Sequence, residues 1–230
     1  MANALRPVVG LVTIGQSPRS DVVPEMAAVI GPSADVREAG ALDGLTRAQI
    51  DALKPAGEDE ILVTRLQDGA AVFVGKQKIV GLVEQRIAGL EQAGATLTAL
   101  LCTGAFPPLS CRRPLVQPQP LLLGALRAMR WSGRLGVVTP SVPHVPQTEA
   151  RWRRDGFDPV VVPLSPYEEE DASALARVAD AFRGAGVGLI AMDCMGFRRK
   201  TRDELRGLTG VPVLLANLLV ARIIAEACGA

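Results

Sequence analysis

The chain has 230 residues, enough for one large domain or for two small lobes that each bury a core. Its composition, 48% hydrophobic and 21% charged, is that of a globular protein, and a net charge of +1 argues against nucleic acid or an anionic membrane as a partner. The four cysteines form no CxxC pair, and the N-terminus lacks the pattern of a secretory signal, so we expect reduced thiols in the cytoplasm.

Short β-rich runs alternate with helical patterns, which is typical of βαβ units and a mainly parallel sheet. The pattern predicts strands at 8–14, 95–102, 134–139, 159–164 and 187–194. It predicts helices at 20–30, 76–93, 119–130, 145–155, 168–185, 199–207 and 216–228. The segment 61–76 differs, because two β-rich runs flank Asp68-Gly69, a sequence typical of a hairpin turn. We therefore predict an α/β fold with an extra antiparallel hairpin in its first half.

A weak internal repeat indicates two similar lobes. GLVTIGQS (10–17) resembles GVVTPS (136–141), and LTALLCTGAF (97–106) resembles LIAMDCMGF (189–197) in the same order. Chance similarity between buried strands is the alternative. Duplication predicts a first lobe over 1–114 and a second over 115–213, separated near a proline-rich stretch. The C-terminal helix at 214–230 is a candidate to complete the first lobe.

Cys102 and Cys194 are the candidate catalytic residues, because each ends a predicted strand at the matching place in the repeat. Ligands collect beyond the carboxyl ends of parallel strands, and nearby backbone amides stabilise thiolates there. We expect the two sulfurs to face each other across one cleft, where a thiolate removes a proton from carbon and a thiol delivers one. A buried structural thiol is the alternative at each position, and Cys111 and Cys228 lack this setting.

The turns around these strand ends are expected to hold the anionic groups of a substrate and to stabilise developing negative charge. The predicted substrate-binding residues are Thr13, Gly15, Gln16, Ser17, Arg19, Thr103, Gly104, Thr139, Ser141, Met195 and Gly196.

Four further expectations concern single residues. Ser17 is expected to cap a helix that has Pro18 at its first position. Arg19, in the first turn of that helix, would bind a substrate carboxylate, with a salt bridge between lobes as the alternative. Asp193 is expected to pair with an arginine or to cap a turn. His144, the lone histidine, is expected at the surface, so no metal site is predicted.

Six sequence blocks carry a family resemblance: VTIGQSPRSDVVPEM, EAGALDGLT, LVTRLQDG, LLCTGAF, MDCMGF and VPVLLANLLVAR. Together they resemble the AroM family of bacterial proteins over nearly the whole chain. That family is distantly similar to the aspartate/glutamate racemase superfamily, which includes hydantoin racemases, maleate isomerases and arylmalonate decarboxylases. The resemblance implies two α/β lobes, chemistry without metal or pyridoxal phosphate, and catalytic positions at Cys102 and Cys194. The turns Cys102-Thr103-Gly104 and Cys194-Met195-Gly196 depart from the Cys-Asn-Thr and Gly-Cys-Thr patterns of the amino-acid racemases, which argues against amino-acid specificity.

Three functions stay open from the sequence. The first is a cofactor-independent racemase or isomerase of a small carboxylate or cyclic amide that uses both cysteines. The second is a decarboxylase or cis–trans isomerase of a small diacid that uses one cysteine. The third is a non-catalytic small-molecule-binding protein. In each case we expect a small-molecule ligand and no cofactor, and a homodimer remains open.

Overall fold

The computed structural model describes residues 6–168 and 172–229. The strands are β1 (Val8–Thr13), β2 (Asp35–Gly40), β3 (Ile61–Arg65), β4 (Ala71–Gly75), β5 (Ala95–Leu101), β6 (Leu115–Val116), β7 (Arg134–Thr139), β8 (Pro159–Pro163), β9 (Val187–Met192) and β10 (Val213–Leu215). The α-helices are α1 (Val23–Ile30), α2 (Arg47–Ala52), α3 (Lys76–Gln92), α4 (Pro118–Arg127), α5 (Val145–Arg154), α6 (Ala172–Gly184), α7 (Arg199–Thr209) and α8 (Ala216–Ala227).

The described chain divides into two units. The first unit comprises residues 6–119 and 220–229, and the second comprises residues 120–219. Each has its own apolar core, built in the first around residues such as Val12, Ile79 and Leu100, and in the second around Leu122 and Trp152. Within the described ranges, no helix has the length and apolar character that a membrane crossing requires.

The two units contain parallel sheets with the same strand order. In the first unit the order is β2-β1-β5-β6, and in the second it is β8-β7-β9-β10. All neighbouring strands in both sheets are parallel. Both sheets also have a register irregularity at the start of the central pair, after Val8 in one and after Arg134 in the other. The predicted α/β fold with two similar lobes is therefore confirmed, and β1, β5 and β6 correspond to β7, β9 and β10.

A glycine in each central strand makes room for the covering helix. A Cβ on Gly10 would come within 2.9 Å of Leu90 in α3, and a Cβ on Gly136 within 3.2 Å of Phe182 in α6. These glycines have equivalent positions, since Val12 and Val138, two residues later, lie opposite Leu100 and Met192. The close packing of helix on sheet is thus repeated in both units.

The appended hairpin has the predicted form. β3 and β4 pair antiparallel from Ile61 opposite Gly75 to Arg65 opposite Ala71. In the turn, Asp68 accepts a hydrogen bond from the Ala70 amide at 2.9 Å, and Gly69 has a φ of 87°, which favours glycine.

The segment between β1 and α1 differs from the sequence prediction. α1 begins at Val23 rather than at residue 20, its N-cap is Val22, and a proline stands in its first turn. The assignment of Ser17 as a helix cap, with Pro18 and Arg19 inside the helix, was therefore wrong. The reason is a second proline, Pro24, which suits the first turn better.

The remaining differences concern short or exposed elements. α2 and the strands β2, β6 and β10 were not predicted, because β2 is a half-exposed edge strand and β6 and β10 span two and three residues. The helix expected over 168–185 is described over Ala172–Gly184. Glu168 lies before this helix, and residues 169–171 lie outside the described part of the chain.

Candidate active site

Cys102 and Cys194 follow equivalent strands at equivalent positions. Leu100 lies opposite Val12 and Met192 lies opposite Val138, and each cysteine comes two residues later in the chain. Both therefore lie just beyond the carboxyl end of a strand in the middle of a parallel sheet. This is where an α/β sheet presents ligand-binding groups.

Both sulfurs accept the same backbone hydrogen bond. The amide of Gly104 donates to Sγ of Cys102 at 3.4 Å, and the amide of Gly196 donates to Sγ of Cys194 at 3.4 Å. A donor aimed at sulfur stabilises negative charge on it, so each turn favours a thiolate. The predicted amide donors at Gly104 and Gly196 thus contact the cysteines themselves.

Cys102 lies beside the core of the first unit. Its side chain is half-buried and packs against the core of the first unit. A Cβ on Gly104 would come within 2.8 Å of Leu62 in β3 and 3.4 Å of Phe106. The turn therefore passes close beneath the hairpin only because a glycine occupies this position. Thr103, between Cys102 and Gly104 in the chain, is buried.

Cys194 is more deeply buried and has a polar neighbour. It is 8% exposed, and the hydroxyl of Tyr167 lies 4.0 Å from its sulfur. The Tyr167 ring packs on Gly196 so closely that a Cβ there would lie 2.9 Å from the ring. Met195, the residue between, is buried. Sequence reasoning missed Tyr167, and its one available signal was that it is the only tyrosine in the chain.

Asp193 forms a buried ion pair on the other side of its strand. Its Oδ2 accepts hydrogen bonds from Arg151 Nη2 and, at 2.8 Å, from the indole of Trp152. Both partners come from α5, so the pair ties this helix to the end of β9. The expected arginine partner of Asp193 is confirmed.

The loop from Gly15 to Ser17 is fastened within the first unit. Oε1 of Gln16 accepts a hydrogen bond from the backbone amide of Gln67 at 3.0 Å. Ser17 Oγ donates a hydrogen bond to Asp43 Oδ2 at 2.6 Å. A Cβ on Gly15 would come within 2.4 Å of the hairpin backbone at residue 65. These contacts hold the loop between the hairpin and the segment after β2, and the predicted substrate contacts of the loop stay predictions.

Arg19 is paired inside the first unit. Its side chain is 3% exposed, Nε and Nη2 each donate to an Asp21 carboxylate oxygen at 2.8 Å, and Nη1 donates to Thr13 Oγ1 at 3.0 Å. Burial raises the pKa of Asp21, but the hydrogen bonds and charge of Arg19, a backbone hydrogen bond and the charge of Arg65 together outweigh it, so the pKa is lowered overall. These contacts fix Arg19 and Thr13 within the first unit, and their predicted binding of a substrate anion stays a prediction.

Two predicted hydroxyls of the second unit also have partners. Thr139 Oγ1 lies 3.0 Å from Thr148 Oγ1, and Ser141 Oγ lies 2.8 Å from Nδ1 of His144. His144 is 5% exposed, so the expectation of a surface histidine was wrong. The 3-10 turn that follows Ser141 brings the imidazole back to its hydroxyl, and this contact buries the ring.

A cavity of about 600 Å³ lies within the second unit, beyond the ends of β7 and β8. Two predicted residues line it, Ser141 and Gly196, together with apolar side chains such as Leu164 and Phe197. Charges of both signs lie on its wall, among them Lys200 and Glu204 of α7, which form an ion pair at 3.7 Å. The cavity therefore adjoins Gly196, whose backbone amide donates a hydrogen bond to Cys194 Sγ.

The two other cysteines have different settings. Cys111 is exposed, and burial raises the pKa of the Cys228 thiol. In the described part of the chain, no three His, Cys, Asp or Glu side chains come together as a metal-ligand set.

Three solved structures illustrate the similarity of the fold. A liganded double mutant of arylmalonate decarboxylase has a TM-score of 0.64 at 18% identity, over 97% of this chain and 93% of that one. Allantoin racemase from Pseudomonas fluorescens has a TM-score of 0.58 at 19% identity, over 96% and 89%. Picrophilus torridus aspartate racemase has a TM-score of 0.59 at 10% identity, over 97% and 94%. The likeness shows an aspartate/glutamate racemase-like fold.

Sequence comparison gives the family. No curated protein matches the chain. The model of the AroM protein family matches residues 9–228, which is nearly the whole sequence. The chain therefore belongs to the AroM family.

Proposed function

We propose that the protein is a cofactor-independent racemase or isomerase of a small carboxylate or cyclic amide, with Cys102 and Cys194 as its acid and base. The observation that carries the proposal is the matched pair of strand-end cysteines. Each accepts a hydrogen bond at 3.4 Å from the amide of a glycine two residues later. A thiol and a matching amide donor at the end of a central strand of each sheet are what a two-thiol acid–base reaction requires.

The chemistry needs one sulfur as thiolate and one as thiol. The thiolate takes a proton from a carbon next to a carbonyl or carboxylate, and the electron pair of the C–H bond moves into that group. The thiol then delivers its proton to the opposite face of the same carbon, which inverts the stereocentre. The charges on the two sulfurs are exchanged at the end, so no oxidant or reductant is consumed. Both sulfurs must reach the same substrate.

The fold comparisons support this class of reaction. The similar structures include racemases of allantoin, which is a cyclic amide, and of aspartate, which is a carboxylate. The turns Cys102-Thr103-Gly104 and Cys194-Met195-Gly196 differ from those typical of amino-acid racemases, so we favour a substrate without a free α-amino group.

A decarboxylase is the second candidate, and the unequal settings of the two cysteines favour it. Cys194 is buried beside the Tyr167 hydroxyl, whereas Cys102 is half-buried. A decarboxylase needs a single proton donor, which replaces the lost CO₂ on one face of the product. Arylmalonate decarboxylase is among the similar structures.

Exchange of the α-hydrogen in D₂O tests the proposal. Wild type, Cys102→Ser, Cys194→Ser and the exposed-site control Cys111→Ser are incubated with chiral carboxylates and hydantoins, and exchange is followed by NMR. We expect exchange in wild type and in the control, and a loss of about 100-fold or more in each active-cysteine variant, as for removal of a general acid or base.

Two results would overturn the assignment. If no substrate of either class exchanges its α-hydrogen with wild type, the racemase proposal fails. If diacids release CO₂, and only Cys194→Ser abolishes the release, the protein is a decarboxylase with one essential thiol.

A further inference from the structure

Asn217 is a buried amide in the first turn of α8. It is 1% exposed and interrupts an otherwise apolar stretch after β10. A buried carboxamide is costly unless it is hydrogen-bonded. Here Nδ2 donates both of its hydrogens, to the carbonyl of Met195 at 2.9 Å and to the carbonyl of Phe197 at 2.7 Å. The side chain therefore fixes the turn that follows Cys194.

The bond to Met195 determines where the next amide points. The peptide between Met195 and Gly196 is trans, so its carbonyl and its N–H point in opposite directions in one plane. Because Asn217 holds the carbonyl, the N–H of Gly196 is turned away from Asn217. That N–H is the donor to Sγ of Cys194. The Tyr167 ring, packed on Gly196, restricts the same peptide further.

The first unit has an amide side chain at the equivalent position. Val213 of β10 lies opposite Ile190, and Leu115 of β6 lies opposite Thr98. In the second unit, Asn217 comes four residues after Val213, and Cys194 comes four residues after Ile190. In the first unit, Gln119 and Cys102 come four residues after Leu115 and Thr98 in the same way. Gln119 is also buried. A carboxamide thus follows the neighbouring strand in both copies of the repeat.

We infer that Asn217 is a positioning residue for Cys194, which acts by aiming the Gly196 amide at the sulfur and so favours the thiolate. Its contribution to turnover rests on the proposed function. Its effect on the thiol does not, because the hydrogen bonds exist without a substrate.

The pH dependence of alkylation tests the inference. Wild type and Asn217→Leu are treated with iodoacetamide at several pH values, and modification of each cysteine is measured by mass spectrometry of its peptide. Leucine has the same branched shape as asparagine, with methyl groups in place of the amide atoms, and donates no hydrogen bond. At pH 7 we expect alkylation of Cys194 to slow about tenfold and its midpoint to move to higher pH, with Cys102 unchanged.

A matched control is Thr148→Val, which removes another buried hydrogen bond of the second unit without touching the turn. Thr148→Val should leave the midpoint pH of Cys194 alkylation unchanged. If Asn217→Leu acted only by loosening the structure of the second unit, Thr148→Val should move this midpoint as well. Asn217→Gln keeps a donor and should restore part of the rate. A wild-type midpoint for Cys194 in a folded Asn217→Leu protein would overturn the inference.

A measurement on the native protein covers the case in which Asn217→Leu does not fold. The amide resonance of Gly196 should titrate with the same midpoint as Cys194, and this titration should vanish in Cys194→Ser. An amide that does not respond to the thiol overturns the inference. Absence of α-hydrogen exchange would instead refute the proposed function and leave these readings unaffected.

Discussion

The turn after β5 and the turn after β9 share a backbone arrangement, whereas several of the side chains around it differ. In both, a glycine amide donates to a cysteine sulfur at 3.4 Å. Cys102 is half-buried against the core of the first unit, whereas Cys194 is buried, with Tyr167 beside it and an ion pair on the preceding residue. The shared feature is the one that stabilises a thiolate. The difference indicates that the two thiols have unequal environments and therefore unequal reactivity.

The largest difference lies one residue before each cysteine. Leu101 occupies this position in the first unit and Asp193 in the second, where Arg151 pairs with it in a buried site. We expect Arg151→Leu to lower the free energy of unfolding by about 3–5 kcal/mol, because it leaves a buried carboxylate without its cation. Urea denaturation measures the loss.

The double variant Arg151→Leu with Asp193→Leu makes the second unit resemble the first at this position. It should recover part of the stability, since apolar residues of similar volume often replace a buried ion pair without cost, but the buried indole of Trp152 loses its acceptor. The control Arg153→Leu removes a surface pair with Glu149 and should cost less than about 1 kcal/mol. Equal losses of unfolding free energy in Arg151→Leu and Arg153→Leu would show that the buried pair stabilises the protein no more than the surface pair.

The corresponding ion pair of the first unit lies in another place, between Arg19 and Asp21. The pKa of Asp21 is held below its usual value of 3.8 in the folded protein. Its contribution to stability is therefore fully present above that value and is lost as the pH falls through the lower, folded-state pKa. We expect Asp21→Asn to destabilise the protein by about 2 kcal/mol at pH 7, and the difference from wild type to shrink below pH 4.

Unfolding in urea at pH 7, 5, 3 and 2 gives this difference directly. Asp35→Asn is the matched control, because Asp35 pairs with Arg6 at an exposed site of the same unit. It should change stability little at any pH. A wild-type advantage over Asp21→Asn that persists unchanged at pH 2 would mean that the carboxylate charge is not its source.

The strands that carry the cysteines were predictable because they are buried and continuous in apolar residues, as in Val187–Met192. The edge strand β2 was not, because its half-exposed, charged residues carry no such pattern. The equivalent strand-end positions of Cys102 and Cys194 could be predicted from the repeat. Tyr167 and Asn217 could not, because a ring over a glycine and an amide beneath a turn depend on contacts between distant segments.

Gln119 and Asn217 have equivalent positions, so the same substitution can be compared in the two turns. If Gln119 supports the turn after Cys102 as Asn217 supports the turn after Cys194, Gln119→Leu should slow alkylation of Cys102 at pH 7 and leave Cys194 unchanged. We expect an effect of about threefold, smaller than that of Asn217→Leu, because Cys102 is half-buried and water can replace part of a lost donor. Cys194 in the same sample serves as the internal control. If the alkylation rate of Cys102 is the same in Gln119→Leu and in wild type, only the second unit uses a carboxamide to position the turn after its cysteine. That difference between the two cysteines would favour a reaction with a single essential thiol over one in which both thiols act as acid and base.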